Sequence, residues 1–142
     1  MKKLIVLTLV FVLLGVTFVP AFAKGPSGNQ LYALAGYIRA IDSTKKTITV
    51  EVLVANGLAT PYLYSTYKQY VVIQTFSTTT TAGGYTFEPT RILLSGGTVI
   101  AFSDLKVGDP ISSNGYLVNT DNDADLEWNA IRVTKGALLI KY

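Results

Sequence analysis

From Leu31 to Ile41 the chain reads L-Y-A-L-A-G-Y-I-R-A-I, apolar except at Arg39 and interrupted at Gly36, which is too short and too glycine-broken for a good helix. Asp42-Ser43-Thr44-Lys45-Lys46 follows, a turn rich in side chains that hydrogen-bond their own backbone. Thr47 to Val54 then alternates strictly, with Ile48, Val50, Val52 and Val54 on one face and Thr47, Thr49, Glu51 and Leu53 on the other. These two runs predict a β-hairpin.

Asn56-Gly57 marks the next turn. Beyond it, Thr60-Pro61 with Leu63, Tyr67 and Tyr70 at i, i+4 and i+7 suits a short helix, while the Tyr and Thr content suits extended chain equally well. Tyr70 to Phe76 is a β-rich run, and Tyr85 to Phe87 with Arg91 to Leu94 is expected to return antiparallel to it. Between them, Ser77 to Gly84 has no apolar side to bury and is expected to be a solvated loop tip.

Gly96-Gly97 is a further turn, and Thr98 to Phe102 leads into the stretch that organises the rest, Ser103 to Val118. There Gly108 can take positive φ at little cost, and Pro110 pushes the residue before it towards extended geometry, so the chain turns sharply and runs out straight. Ile111, Ser113, Gly115 and Leu117 share one face of the resulting strand, with Ser112, Asn114, Tyr116 and Val118 on the other. Gly115 in mid-strand predicts a bulge or a barrel corner where another backbone comes close. Asn119 to Asp125 reads as a polar loop. Glu127 to Lys135 reads as a last strand, with Trp128, Ala130, Arg132 and Thr134 opposite Asn129, Ile131 and Val133, and the tail A-L-L-I-K-Y suits either an edge strand or a cover over a barrel end.

The beginning of the chain is of another kind. Lys2 and Lys3 precede an almost uninterrupted apolar run, Leu4 to Val19, and Pro20-Ala21-Phe22-Ala23 ends in the small-x-small pattern read by signal peptidase. The run is shorter than the ~20 residues of a spanning helix, so cleavage after Ala23 is expected in place of a retained anchor. The chain has 142 residues and no cysteine, which excludes disulfides and a lipoprotein attachment thiol and leaves one modest domain to be held by its core alone. Two of the twelve basic residues belong to the leader, so the rest nearly balance the nine acids and give no charge excess for wrapping nucleic acid.

Four segments carry a resemblance: G-Y-I-R-A-I-D-S-T-K-K-T-I-T-V from Gly36, T-R-I-L-L-S-G-G from Thr90, S-D-L-K-V-G-D-P-I-S-S-N-G from Ser103, and W-N-A-I-R-V from Trp128. In order and spacing they resemble a family of uncharacterised exported bacterial domains built on a small OB-like barrel. The resemblance spans most of Ala35 to Val133 and leaves 55–88 as a long insertion. It implies fold and compartment and brings no reaction with it. The expectation is an all-β chain: a cleavable signal helix at 1–23, a flexible lead-in at 24–30, and one OB-like β-barrel domain of about five to seven strands over 31–142.

The absence of histidine and cysteine removes Ser-His-Asp and Cys-His machinery, the usual zinc sites and haem ligation by histidine or thiolate, and no cofactor is expected. No nucleophile elbow, phosphate loop or dinucleotide fingerprint occurs. A carboxylate pair or a Ser/Lys arrangement would remain for an enzyme, but Asp42, Asp104, Asp109, Asp121, Asp123 and Asp125 all lie in predicted turns, where Asp serves the backbone. Asp121, Asp123 and Asp125 space like the start of a calcium loop; position six is Leu126 where glycine is needed, and position twelve is Arg132 where a bidentate Glu is needed, so no metal site is expected beyond weak extracellular calcium.

Tyr62, Tyr64, Tyr67, Tyr70 and Tyr85 are the most unusual local composition and the candidate ligand-binding residues, set against the plain reading that Tyr and Thr are good strand formers. The functional expectation is an exported, non-enzymatic binding module, periplasmic or extracellular, whose ligand the sequence leaves open, with an envelope polysaccharide as the candidate and no nucleic acid expected. The alternative is a structural subunit that pairs with copies of itself in a surface layer or filament, since only 15% of residues are charged and protection against edge pairing is correspondingly weak.

Overall fold

The computed structural model describes residues 31–57, 59, 70–118, 120 and 127–138. The expected signal helix, the lead-in, the segment carrying Tyr62, Tyr64 and Tyr67, the loop carrying Asp121, Asp123 and Asp125, and the last residues of the tail lie outside them. The described residues form β1 (Tyr32–Asp42), β2 (Thr47–Ala55), β3 (Tyr70–Gln74), β4 (Thr80–Ala82), β5 (Tyr85–Phe87), β6 (Arg91–Leu94), a 3-10 turn at Phe102–Asp104, β7 (Pro110–Val118) and β8 (Glu127–Lys135).

The expected first hairpin is present. Asp42 Oδ1 accepts from the backbone N–H groups of Thr44 and Lys45 at 2.9 Å each, which closes the turn between β1 and β2. β1 also pairs with β7, β2 with β3 and β7 with β8, all antiparallel, and β3 meets β8 in parallel through Ile73–Trp128 and Gln74–Asn129. The circuit β1-β2-β3-β8-β7 returns to β1 and is a closed five-stranded barrel. Closure gives each of these strands a partner on both sides, although β3 meets β8 through only two residues.

Inside it lie Leu34, Ile38, Ile48, Val50, Val52, Ile73, Ile111, Trp128 and Val133, each fully buried. Burying such a side chain stabilises the fold by about 1.5–3 kcal/mol. Trp128 donates its Nε1–H to Ser113 Oγ at 3.1 Å, so the one indole of the core is not left with an unmet donor, and Tyr32 stands edge-on to it at 6.5 Å.

Two glycines let backbones touch. A Cβ at Gly36 would lie 1.9 Å from the Glu51 carbonyl oxygen, and one at Gly115 would lie 2.5 Å from the Asn129 carbonyl oxygen and 2.9 Å from Trp128 Nε1. The close approach expected at Gly115 is therefore real, and the pairing with β8 slips there.

The corner before β7 is tied to two strands of the barrel, β1 and β8. Gly108 has φ +94° and donates its N–H to the Ile38 carbonyl at 2.8 Å, while Ile38 N–H donates to the Asp109 carbonyl at 3.0 Å. Asp109 Oδ2 accepts from Lys106 N–H at 2.7 Å and pairs with Lys135 Nζ of β8 at 2.8 Å. Leu105 is buried beneath the corner, and Val107 is exposed.

Three expectations are corrected. Val54 was placed with Ile48, Val50 and Val52, but it is exposed, because the register slips between Ala35 and Gly36 and leaves Leu53 as an extra residue in β2. In β8 strict alternation puts Val133 opposite Trp128 and Ala130; all three are buried, because Ile131 is an extra residue against β7 and resets the inward face. The third concerns 77–94. Thr80–Ala82 is a strand and not loop, β5 returns along β4 and not along β3, and β6 runs parallel to β8. Gly83 and Gly84, at φ +57° and +79°, make the tight turn that folds β4 onto β5, and both edges of β3 are already taken by β2 and β8. Phe87 anchors this hairpin by stacking on Phe76 with ring centroids 4.8 Å apart.

β8 divides its second edge. Trp128 and Asn129 pair with β3, and Arg132 to Lys135 pair with β6. At the fork Thr90 Oγ1 accepts from Phe76 N–H at 2.9 Å and donates to the Ala130 carbonyl at 2.6 Å.

Candidate functional site

Because Ile48, Val50, Val52 and Ile73 fill the core, their neighbours in β2 and β3 must face out. Thr47, Thr49 and Glu51 stand opposite Gln74, Val72 and Tyr70 respectively. Tyr70 is 52% exposed and Val72 57%, and Leu53, pushed out by its bulge, is also exposed. On the other side of Glu51 lies its β1 partner Tyr37, half-buried. Arg39, the extra residue of β1, donates Nε–H to Glu51 Oε2 at 2.5 Å, and its guanidinium lies 5.7 Å from the centre of the Tyr37 ring. The face thus runs from one tyrosine through a surface ion pair to a second tyrosine and two aliphatic side chains. Rings of this kind accept the apolar face of a sugar or another flat group, and the ion pair beside them offers both donors and acceptors for hydroxyls.

Of the five candidate tyrosines, Tyr62, Tyr64 and Tyr67 lie outside the described residues. Tyr70 is on the barrel face just described, whereas Tyr85 is half-buried in β5, in the separate two-stranded sheet. The structure does not bring those two together on one sheet. Tyr37, Arg39 and Glu51 were missed as site residues. Their signal was available in the predicted hairpin: Tyr37 and Arg39 are two apart in one strand, and Glu51 belongs to the polar face of the other.

Among the described residues, grooves also open elsewhere on the barrel, and two of them bear on function. One, of about 320 Å³, lies over the fork between β3 and β6, with Phe76, Ile92, Val99 and Phe102 on its walls and Lys46 and Arg91 at its rim. The other, of about 410 Å³, is lined by Leu94, Asn114, Arg132 and Leu138 among others, and there Arg132 donates to Asn114 Oδ1 at 3.2 Å. No carboxylate lines either groove.

The aspartates within the described residues serve turns. Asp42 holds the first hairpin, Asp104 Oδ2 accepts from Ala101 N–H at 2.9 Å, and Asp109 holds Lys106 N–H. Burial pushes the Asp109 carboxyl up, but the hydrogen bonds from Lys135 and from the Lys106 backbone, with the charges of both lysines, outweigh it and hold the group below the usual carboxylate range. Among the described residues no three acids gather where they could hold a metal ion.

No family model matches this chain, and neither the curated proteins nor the solved structures contain a match to it.

Proposed function

We propose that this chain is an exported, non-enzymatic binding module with an OB-like barrel, which takes a cell-envelope glycan on the outer face of β2 and β3. The observation that carries the reading is the solvent-facing Tyr70, with Val72 beside it and the Arg39–Glu51 pair next in line. Strand order supports the OB-like assignment: an antiparallel β1-β2-β3 meander joined in parallel to the last strand, with β7 bridging back to β1. In that fold the face of the second and third strands is a common seat for oligosaccharides. The apolar leader with its A-x-A end supports export, and the resemblance to exported domains supports both compartment and fold. The assignment of described aspartates to turns supports a role without catalysis.

The test is retention of the exported protein on immobilised envelope polysaccharide. Tyr70→Ala is expected to weaken binding about tenfold, equivalent to about 1.4 kcal/mol, in line with loss of one stacked ring. A second reading, a subunit of a self-assembling layer or filament, draws on the β4–β5 hairpin, a two-stranded sheet that pairs with no other strand among the described residues. Size-exclusion chromatography with electron microscopy separates the two: a monomer retained by polysaccharide supports the binding module, and large regular assemblies without retention overturn it.

A further inference from the structure

The groove over the β3–β6 fork has a composition that the glycan reading does not use. Its walls are mainly apolar and aromatic, with the hydroxyls of Thr75, Ser77 and Thr90 among them, and its two charged side chains, Lys46 and Arg91, are both basic. Neither has a carboxylate partner among the described residues, where the ion pairs are Arg39–Glu51 and Lys135–Asp109. Arg91 is exposed at the rim, and Lys46 holds its ammonium 5.1 Å from the centre of the Phe102 ring. The volume of about 320 Å³ sits at the small end of the range for ligand pockets, roughly 300–1,000 Å³.

Lys46 is also the one non-glycine residue with positive φ among the described residues, at +57°. Glycine or asparagine is the ordinary occupant of that conformation at a hairpin turn. The backbone there is fixed by use: the Lys46 carbonyl accepts from both Thr75 N–H at 3.0 Å and Thr75 Oγ1 at 2.7 Å. A glycine would keep those bonds and relieve the strain, so what the lysine adds is its side chain, delivered to the groove beside Phe102.

We propose that this groove binds an amphipathic carboxylate, an alkyl or aryl acid whose body lies along Phe76, Ile92, Val99 and Phe102 and whose head is held by Arg91 and Lys46. The guanidinium fork matches a carboxylate with two parallel hydrogen bonds, and the ammonium adds a second charge-assisted bond. Bare cations at the mouth of an apolar groove select against neutral and cationic ligands of the same shape. The site is separate from the β2–β3 face, and neither depends on the other.

The experiment is equilibrium dialysis of the exported protein against decanoate and decanol, with thermal melts on each variant. Saturable decanoate binding is expected, with decanol bound at least about tenfold more weakly. Arg91→Gln and Lys46→Gly each weaken decanoate at least about tenfold, and Lys46→Gly keeps or raises the Tm because the left-handed backbone is relieved. Tyr70→Ala leaves decanoate binding unchanged, so failure of the glycan reading and failure of this one are told apart. Absence of decanoate binding, equal affinity for decanol, or unaltered binding in a folded Lys46→Gly protein overturns the proposal.

Discussion

At Gly36 a single missing methyl group decides whether two strands can pair. With the Glu51 carbonyl oxygen 1.9 Å from where a Cβ would stand, Gly36→Ala forces β1 and β2 apart in mid-barrel. A loss of about 3 kcal/mol or more in urea unfolding is expected, at the upper end of overpacking costs. Asp109 is the other residue whose chemistry reaches beyond itself. Its carboxyl is held low by Lys135 and Lys106 against the opposing effect of burial, so its contribution to stability is present above about pH 3.9, the unfolded value, and is lost as pH falls through the lower folded value. Asp109→Asn should therefore be less stable than wild type at pH 7, and the gap should close as pH falls through and below the ordinary carboxylate range, as followed by urea midpoints. From residue type alone Gly36 reads only as a break in an apolar run and Asp109 only as a turn aspartate before Pro110. The carbonyl that faces Gly36 depends on the bulged register of the β1–β2 hairpin, and the lysine that faces Asp109 depends on how β8 pairs with β7; neither register can be read from the residues alone.

Among the elements, strands announced themselves and their slips did not. The β1–β2 hairpin was legible from alternation alone, and so was β7 behind its glycine-proline corner. The bulges at Leu53, Arg39 and Ile131 were not, since an extra residue leaves composition unchanged and shows only as a change of inward face once the partner strand is known. That is why Val54 and Val133 were assigned to the wrong sides, and why Arg39 and Glu51 were not seen to meet. Segment 77–94 misled for a related reason: short threonine-rich runs read as loop until a glycine pair folds one onto the other. The fork between β3 and β6 rests on Thr90. Thr90→Val keeps the shape and removes the hydroxyl, leaving Phe76 N–H and one acceptor site of the Ala130 carbonyl unmet, and should destabilise by about 1–3 kcal/mol. Faster amide exchange at Phe76, with the β1–β2 amides unchanged, would place the effect at the fork; an unaltered Phe76 rate would show that the hydroxyl does not hold it.

For the whole molecule, the all-β barrel was legible and its manner of closure was not. Parallel pairing of β3 with β8 joins residues more than fifty positions apart, and no periodicity encodes which strand meets which. The outward face of β2 and β3 had to be read from the register. The same register shows how a chain without cysteine is held: the strands close into a ring, and the core fills it with Trp128 and eight aliphatic side chains.

The divided edge of β8 also sets a schedule. Since that strand touches β7 along its length and both β3 and β6 on its far side, a nascent polypeptide halted before Glu127 is an open sheet with two sticky borders, whatever else has already formed. Closure of the ring is deferred until those nine residues are free to pair in the compartment where the chain folds. Any helper that keeps the unfinished sheet from meeting its neighbours has to stay bound until that moment and can let go in a single step afterwards.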